Sequence, residues 1–162
     1  MTQKEFIKLL KGKKYDRIIE LLIKEQPSGP KITSPSEVYR QLLPYTVRKQ
    51  ESFLVITLDG SFQTINVHEV TKGIVNKTLV HPREVFVTAI EDRAVAIIIA
   101  HNHPSGNTEP SEDDLDVTRR LIDAGTILGI SVLDHIIVGR ENYTSLKDEY
   151  PAMFADERRR TI

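Results

Sequence analysis

The chain has 162 residues, 40% hydrophobic and 28% charged, the balance of a soluble globular fold, and that length buries an ordinary core without disulfide or metal staples. Its 22 basic residues nearly cancel 23 acidic ones, so no global positive field exists to hold a nucleic-acid backbone, and any such binding must be local. Cysteine is absent, which excludes disulfides and thiolate metal sites and leaves His, Asp and Glu as the ligand types for a zinc ion.

The opening MTQKEFIKLLKGKK has no apolar stretch of signal-peptide length, and no segment reaches the roughly 20 apolar residues of a membrane helix, so the expected compartment is the cytoplasm, with no membrane partner. Residues 1–25 place Phe6, Leu9, Leu10, Ile18, Ile19, Leu21 and Leu22 in helix-like clusters broken near Gly12, which predicts two short helices. Lys11, Lys13, Lys14 and Arg17 read as a solvated face in preference to a phosphate-binding one. Residues 26–34, QPSGPKITS, have linker composition, so residues 1–33 form an N-terminal extension. Ser36, Val38, Leu42 and Leu43 suggest a short helix that starts after Pro35 and ends near Pro44.

Residues 52–59 are rich in β-branched side chains and close on Asp59-Gly60, which predicts a β-hairpin with residues 62–70 as its second strand. Pro82 opens a helix to about residue 91 that offers Val85, Val87, Ala89 and Ile90 to the core. Residues 94–100, AVAIIIA, form the most apolar run and suit a strand covered on both faces at the centre of the sheet. A loop over residues 102–110 leads to Ser111 as the N-cap of a helix through Leu115, Leu121 and Ala124 that ends near residues 125–129. Residues 130–138 read as a second central strand, residues 142–145 as a short one, and residues 151–162 as a tail ending in a frayed ERRR segment. Helices and strands alternate irregularly, which predicts an α/β fold of α+β-like character, a mixed central β-sheet flanked by helices.

The chemistry concentrates in residues 100–114, AHNHPSGNTEPSEDD, at the C-terminal end of the most buried strand, where clefts form. His101 and His103, two apart on an extended segment, point the same way and can share one ion at about 2.0–2.1 Å. Asp114, three residues into the next helix, can point back across the loop as the third ligand. Two neutral imidazoles and one carboxylate leave a fourth tetrahedral position open for water, the arrangement of a catalytic zinc. Ser111 and Asp114 equally satisfy a helix capping box, and the two roles are compatible.

The spacing His-x-His, seven residues, Ser, two residues, Asp matches the JAMM motif of MPN-domain metalloproteases without departure. With VHPREVF before it and LGISVLDHIIVG after it, the chain resembles the RadC-type JAB-domain family over roughly residues 34–150, a far more specific match than a lone His-x-His. The resemblance implies a cytidine-deaminase-like MPN/JAMM architecture and one zinc ion per chain on His101, His103 and Asp114. It further implies a hydrolase in which zinc-activated water attacks an amide or isopeptide carbonyl of a peptide or small amide substrate. By the same resemblance Glu51, opening ESFLVITLD, is the general base and Ser111 the donor to the oxyanion. Glu84 in HPREVF is a competing carboxylate for the base.

Asp134 and His135, in LDHIIVG, either orient the ligands from behind or simply stabilise a strand end. His68 and His81 read as surface or cap residues, and Gly73, Gly106 and Gly129 as turn positions of positive φ. Two other functions compete: a metal-dependent nuclease, suggested by the letters HNH at residues 101–103 and by the family's DNA-repair label, and a non-catalytic MPN interaction module. The HNH letters of nucleases, however, stand for residues spread along a ββα-metal unit, and the interaction module would be marked by missing ligands. The RadC-type layout usually includes an N-terminal helix-hairpin-helix module that the first 30 residues are too short to hold, so DNA binding seated there is not expected.

Overall fold

The computed structural model describes residues 29–73 and 80–155. The helices expected within residues 1–25, the basic cluster Lys11, Lys13, Lys14 and Arg17, and the ERRR segment lie outside the described residues. In chain order the elements are α1 (Pro35–Thr46), β1 (Ser52–Leu58), β2 (Thr64–Lys72), α2 (Pro82–Glu91), β3 (Ala96–Asn102), α3 (Glu112–Leu128), β4 (Ser131–Val138), β5 (Tyr143–Ser145), α4 (Leu146–Glu149) and α5 (Pro151–Phe154).

The strands form one mixed sheet in the order β2-β1-β3-β4-β5, flanked by helices, the architecture the sequence predicts. β3 lies antiparallel to β1 and parallel to β4, and α3 supplies the crossover that a parallel pair requires. All seven residues of β1 and all seven of β3 are buried, because the sheet is covered on both faces. One face packs Phe53, Val55, Ile97 and Ile99 against Phe86 of α2 and Leu121 of α3. The other packs Leu54, Ile56, Ile98 and Ile136 against Val38 and Leu42 of α1. His101 continues the alternation of Ile97 and Ile99 and so emerges on the α3 face.

Three expectations are corrected. The hairpin loop is longer than an Asp-Gly turn: Asp59 Oδ1 accepts the N–H groups of Ser61 and Gln63, Phe62 takes a left-handed φ of 60°, and β2 starts at Thr64. α1 continues past Pro44 to Thr46, since a proline in the last turn deletes only one ladder bond. Val87 and Ile90 are exposed, because the 3.6-residue period turns them outward while Val85, Phe86 and Ala89 face in.

β4 carries one irregularity that matters for the site. Its pairing with β3 shifts between Ile97 and Ile98, so that Ile97 meets Val132 but Ile98 meets Asp134. The extra residue, Leu133, reverses the phase of everything after it. Without it Asp134 would face α3; with it, His135 does.

Candidate metal centre

His101 occupies the end of β3 and His103 the first turn beyond it, both carried to the face that α3 covers. α3 begins one loop later, and its first turn brings Asp114 back over the strand end. His101 Nε2 lies 2.9 Å from His103 Nε2 and 3.2 Å from Asp114 Oδ1, while His103 Nε2 lies 3.9 Å from Asp114 Oδ2. These three residues offer one ligand atom each, all within 4.8 Å of one another, a spacing one ion can bridge. Among the described residues this is the one such His, Cys, Asp or Glu group.

The donor set fits a metal. His103 sends its Nδ1–H to the Asn107 carbonyl, which can only accept, so its Nε2 carries a lone pair. Burial pushes the His101 imidazole down to about 4 against the pull of the Asp114 carboxylate, with His103 adding to the lowering. His135 is likewise lowered well below the ordinary histidine value by burial, then by His101 and His103. His101 is therefore neutral near pH 7, the form that coordinates a metal.

Ser111 is the N-cap of α3. Its hydroxyl and its backbone N–H both donate to Asp114 Oδ2, at 2.6 and 2.8 Å, and its Oγ accepts the Asp114 N–H at 3.2 Å. The reciprocal cap holds the carboxylate in place, and in this arrangement the serine's proton is committed to Asp114.

Glu51 immediately precedes β1. Phe53 pairs with His101 in the antiparallel register, so Glu51, two residues before Phe53, lies at the end of β1 that neighbours the C-terminal end of β3. The backbone on either side is pinned by Asn102, whose Oδ1 accepts the Ser52 N–H at 2.7 Å and whose Nδ2 donates to the Gln50 carbonyl at 3.1 Å. Gly73 N–H closes on the Glu51 carbonyl at 2.9 Å. Glu84, by contrast, sits exposed on the first turn of α2 in an ion pair with Arg83.

The remaining candidates sort by face. Asp134 and His135 separate: His135 Nε2 lies 2.8 Å from His101 Nδ1, whereas Asp134 accepts from Ser145 Oγ and from the N–H groups of His135 and Lys147. Burial raises the Asp134 carboxyl above its ordinary value despite those donors. His81 caps α2, and His68 ties β2 to Asp92 at that helix's C-terminus, 2.6 Å away. Gly73, Gly106 and Gly129 all take positive φ. Sequence reasoning missed Asn102 and Thr118; the latter, one turn along α3 from Asp114, lies 2.6 Å from His135 Nδ1.

No helix among the described residues is long and apolar enough to cross a membrane. A family model described as a RadC-like JAB domain matches residues 32–151. A UPF0758 protein of Methanospirillum hungatei is 50% identical over 119 residues, 72% of this chain and 53% of that protein. A UPF0758 protein of Methanosarcina mazei is 44% identical over 126 residues, 77% of this chain and 55% of its own length. One of Clostridium perfringens is 44% identical over 120 residues, 74% of this chain and 53% of its own. The chain thus spans about half the length of the curated relatives it matches.

Proposed function

The chain belongs to the RadC-like JAB domain family, and from that premise we propose that it is a zinc-dependent hydrolase in which water attacks the carbonyl of a peptide, an isopeptide or a small amide. The observation that carries this reading is the convergence of His101 Nε2, His103 Nε2 and an Asp114 carboxylate oxygen at the buried end of β3. Three protein ligands are the number that leaves a coordination position open for chemistry. When bound, zinc supplies Lewis acidity, which brings the pKa of a water to about 7 and polarises a carbonyl.

The chain's own residues do the rest. Glu51, just before the end of β1 that pairs with the histidine end of β3, takes the proton of the attacking water on its carboxylate and passes it to the leaving nitrogen. Ser111 donates its hydroxyl to the oxygen on which charge develops, after turning from Asp114 Oδ2, which keeps the Ser111 backbone N–H at 2.8 Å. Burial of His101 and Asp114 keeps bulk water from competing for the ligand atoms.

Elemental analysis of purified protein tests the reading, with about one zinc per chain expected in wild type and loss in His103→Ala and Asp114→Ala. Unchanged zinc in those variants sinks the ligand assignment. Zinc-loaded protein is then assayed against amide and isopeptide substrates, where Glu51→Gln keeps the metal and loses roughly 100-fold or more in rate. The nuclease reading draws nothing from the letters HNH here, since the Asn102 side chain is spent on the backbone of residues 50 and 52.

A further inference from the structure

We propose that Thr118 and His135 form a positioning chain that sets the tautomer of His101 and presents its Nε2 lone pair to the metal, His135 itself not being a ligand. The inference rests on the metal-site reading above. Its direction is fixed at the far end. The Thr118 hydroxyl donates to the Asp114 backbone carbonyl at 2.6 Å, an acceptor with no proton to give. Thr118 Oγ1 therefore accepts at its second contact, 2.6 Å away, and the proton between them belongs to His135 Nδ1. A neutral imidazole has one N–H, so His135 Nε2 is an acceptor. Across 2.8 Å it takes the proton of His101 Nδ1, and the lone pair of His101 is left on Nε2, facing His103 and Asp114.

The opposite polarity is the informative alternative. Were Thr118 to donate to His135 Nδ1, every proton in the chain would shift one place, and His101 Nε2 would carry hydrogen where a ligand needs a lone pair. Both ring nitrogens of His135 are engaged away from His103 and Asp114, which is why it serves a ligand and is not one. The chain also closes on itself, running from one ligand, His101 of β3, through β4 to the backbone of another, Asp114 of α3. His135 reaches this face only because the extra residue in β4 reverses the strand's phase. The bulge leaves Asp134 on the other face, where its carboxylate accepts the His135 backbone N–H at 2.7 Å.

Two measurements test the proposal. Long-range 1H–15N correlation of the histidine side chains in metal-free wild type is expected to show His135 neutral with its proton on Nδ1; a proton on Nε2 of His135 overturns the chain. Zinc affinity, read by chelator competition, is expected to fall 10–100-fold in His135→Phe and in the isosteric Thr118→Val, the range for ligand-orienting partners. His135→Gln, which keeps an acceptor towards His101 and a donor towards Thr118, is expected to recover most of the loss. Wild-type affinity in both Thr118→Val and His135→Phe overturns this proposal alone, provided His103→Ala has lost the metal. Failure of wild type to take up zinc overturns the metal reading and this proposal with it. Should His135→Phe not fold, Thr118→Val and the wild-type tautomer still decide.

Discussion

Asn102, outside the candidate ligand set, ties the backbone on both sides of Glu51 to the end of β3. Its side chain is fully buried and is the partner of the Ser52 N–H, so Asn102→Ala leaves a buried donor unmet and releases the chain on both sides of Glu51. The expected cost is about 1–3 kcal/mol in urea unfolding, with zinc stoichiometry unchanged because the side chain faces away from the ligands. Loss of zinc in that variant would contradict the separation of roles. On the same edge Arg48 and Ser52 both donate to Glu69 Oε1, at 2.6 and 2.7 Å, and those bonds, Arg48 first, hold the Glu69 carboxyl below the usual range. A folded-state pKa below the unfolded one gives stability that is present above the unfolded value, about 4.3, and lost as pH falls through the folded value. Glu69→Gln should therefore narrow its stability gap to wild type as pH drops from about 5 to 3, and a gap that stays constant would exclude the linkage. Spacing alone makes His101, His103 and Asp114 legible, since the period of a strand and the first turn of a helix bring them together. Asn102 and Thr118 are not legible that way, because their partners are set by which strands pair and in what register.

At the level of elements, α3 and β4 must hold a fixed distance for the Asp114–Thr118–His135 contacts to exist, and Gly125 sets that distance. A Cβ there would meet the Ile130 carbonyl oxygen and stand 3.2 Å from Phe86 and 3.3 Å from Val132. Gly129, which ends the helix at φ 70°, has open space around a Cβ and needs glycine only for its backbone. Gly129→Ala should cost roughly 1–2 kcal/mol of stability and leave zinc affinity alone. Gly125→Ala should cost about 1–3 kcal/mol and also weaken zinc binding, because the helix is pushed off the strand that carries His135. Equal zinc affinity in the two variants would show that helix–strand spacing does not reach the site. The order of elements is readable from hydrophobic period and from Ser, Pro and Gly at their ends. The β4 bulge is not, for residues 130–138 read as one ordinary strand, and only pairing with β3 reveals which residue is extra.

For the whole molecule, the two apolar clusters on either side of the sheet do not include the ligands, and this separation predicts how folding and metal are linked. A chain of 162 residues with a sheet buried on both faces has enough core to fold without an ion, unlike small zinc domains that are unfolded when stripped. Chelated protein should therefore keep its far-UV circular dichroism and a single cooperative urea transition. Adding zinc should then raise stability only by mass action, about 2.7 kcal/mol at a free concentration one hundred times Kd, and by nothing in His103→Ala. The metal-free site is also where stability is given up: two imidazole nitrogens 2.9 Å apart beside a buried carboxylate satisfy one another poorly without a cation between them. Metal-free His103→Ala should thus be no less stable than metal-free wild type, although it has lost a side chain from a packed site. If it unfolds more easily, the imidazole stabilises the site without a cation; if chelation abolishes the cooperative transition, the ion is part of the fold.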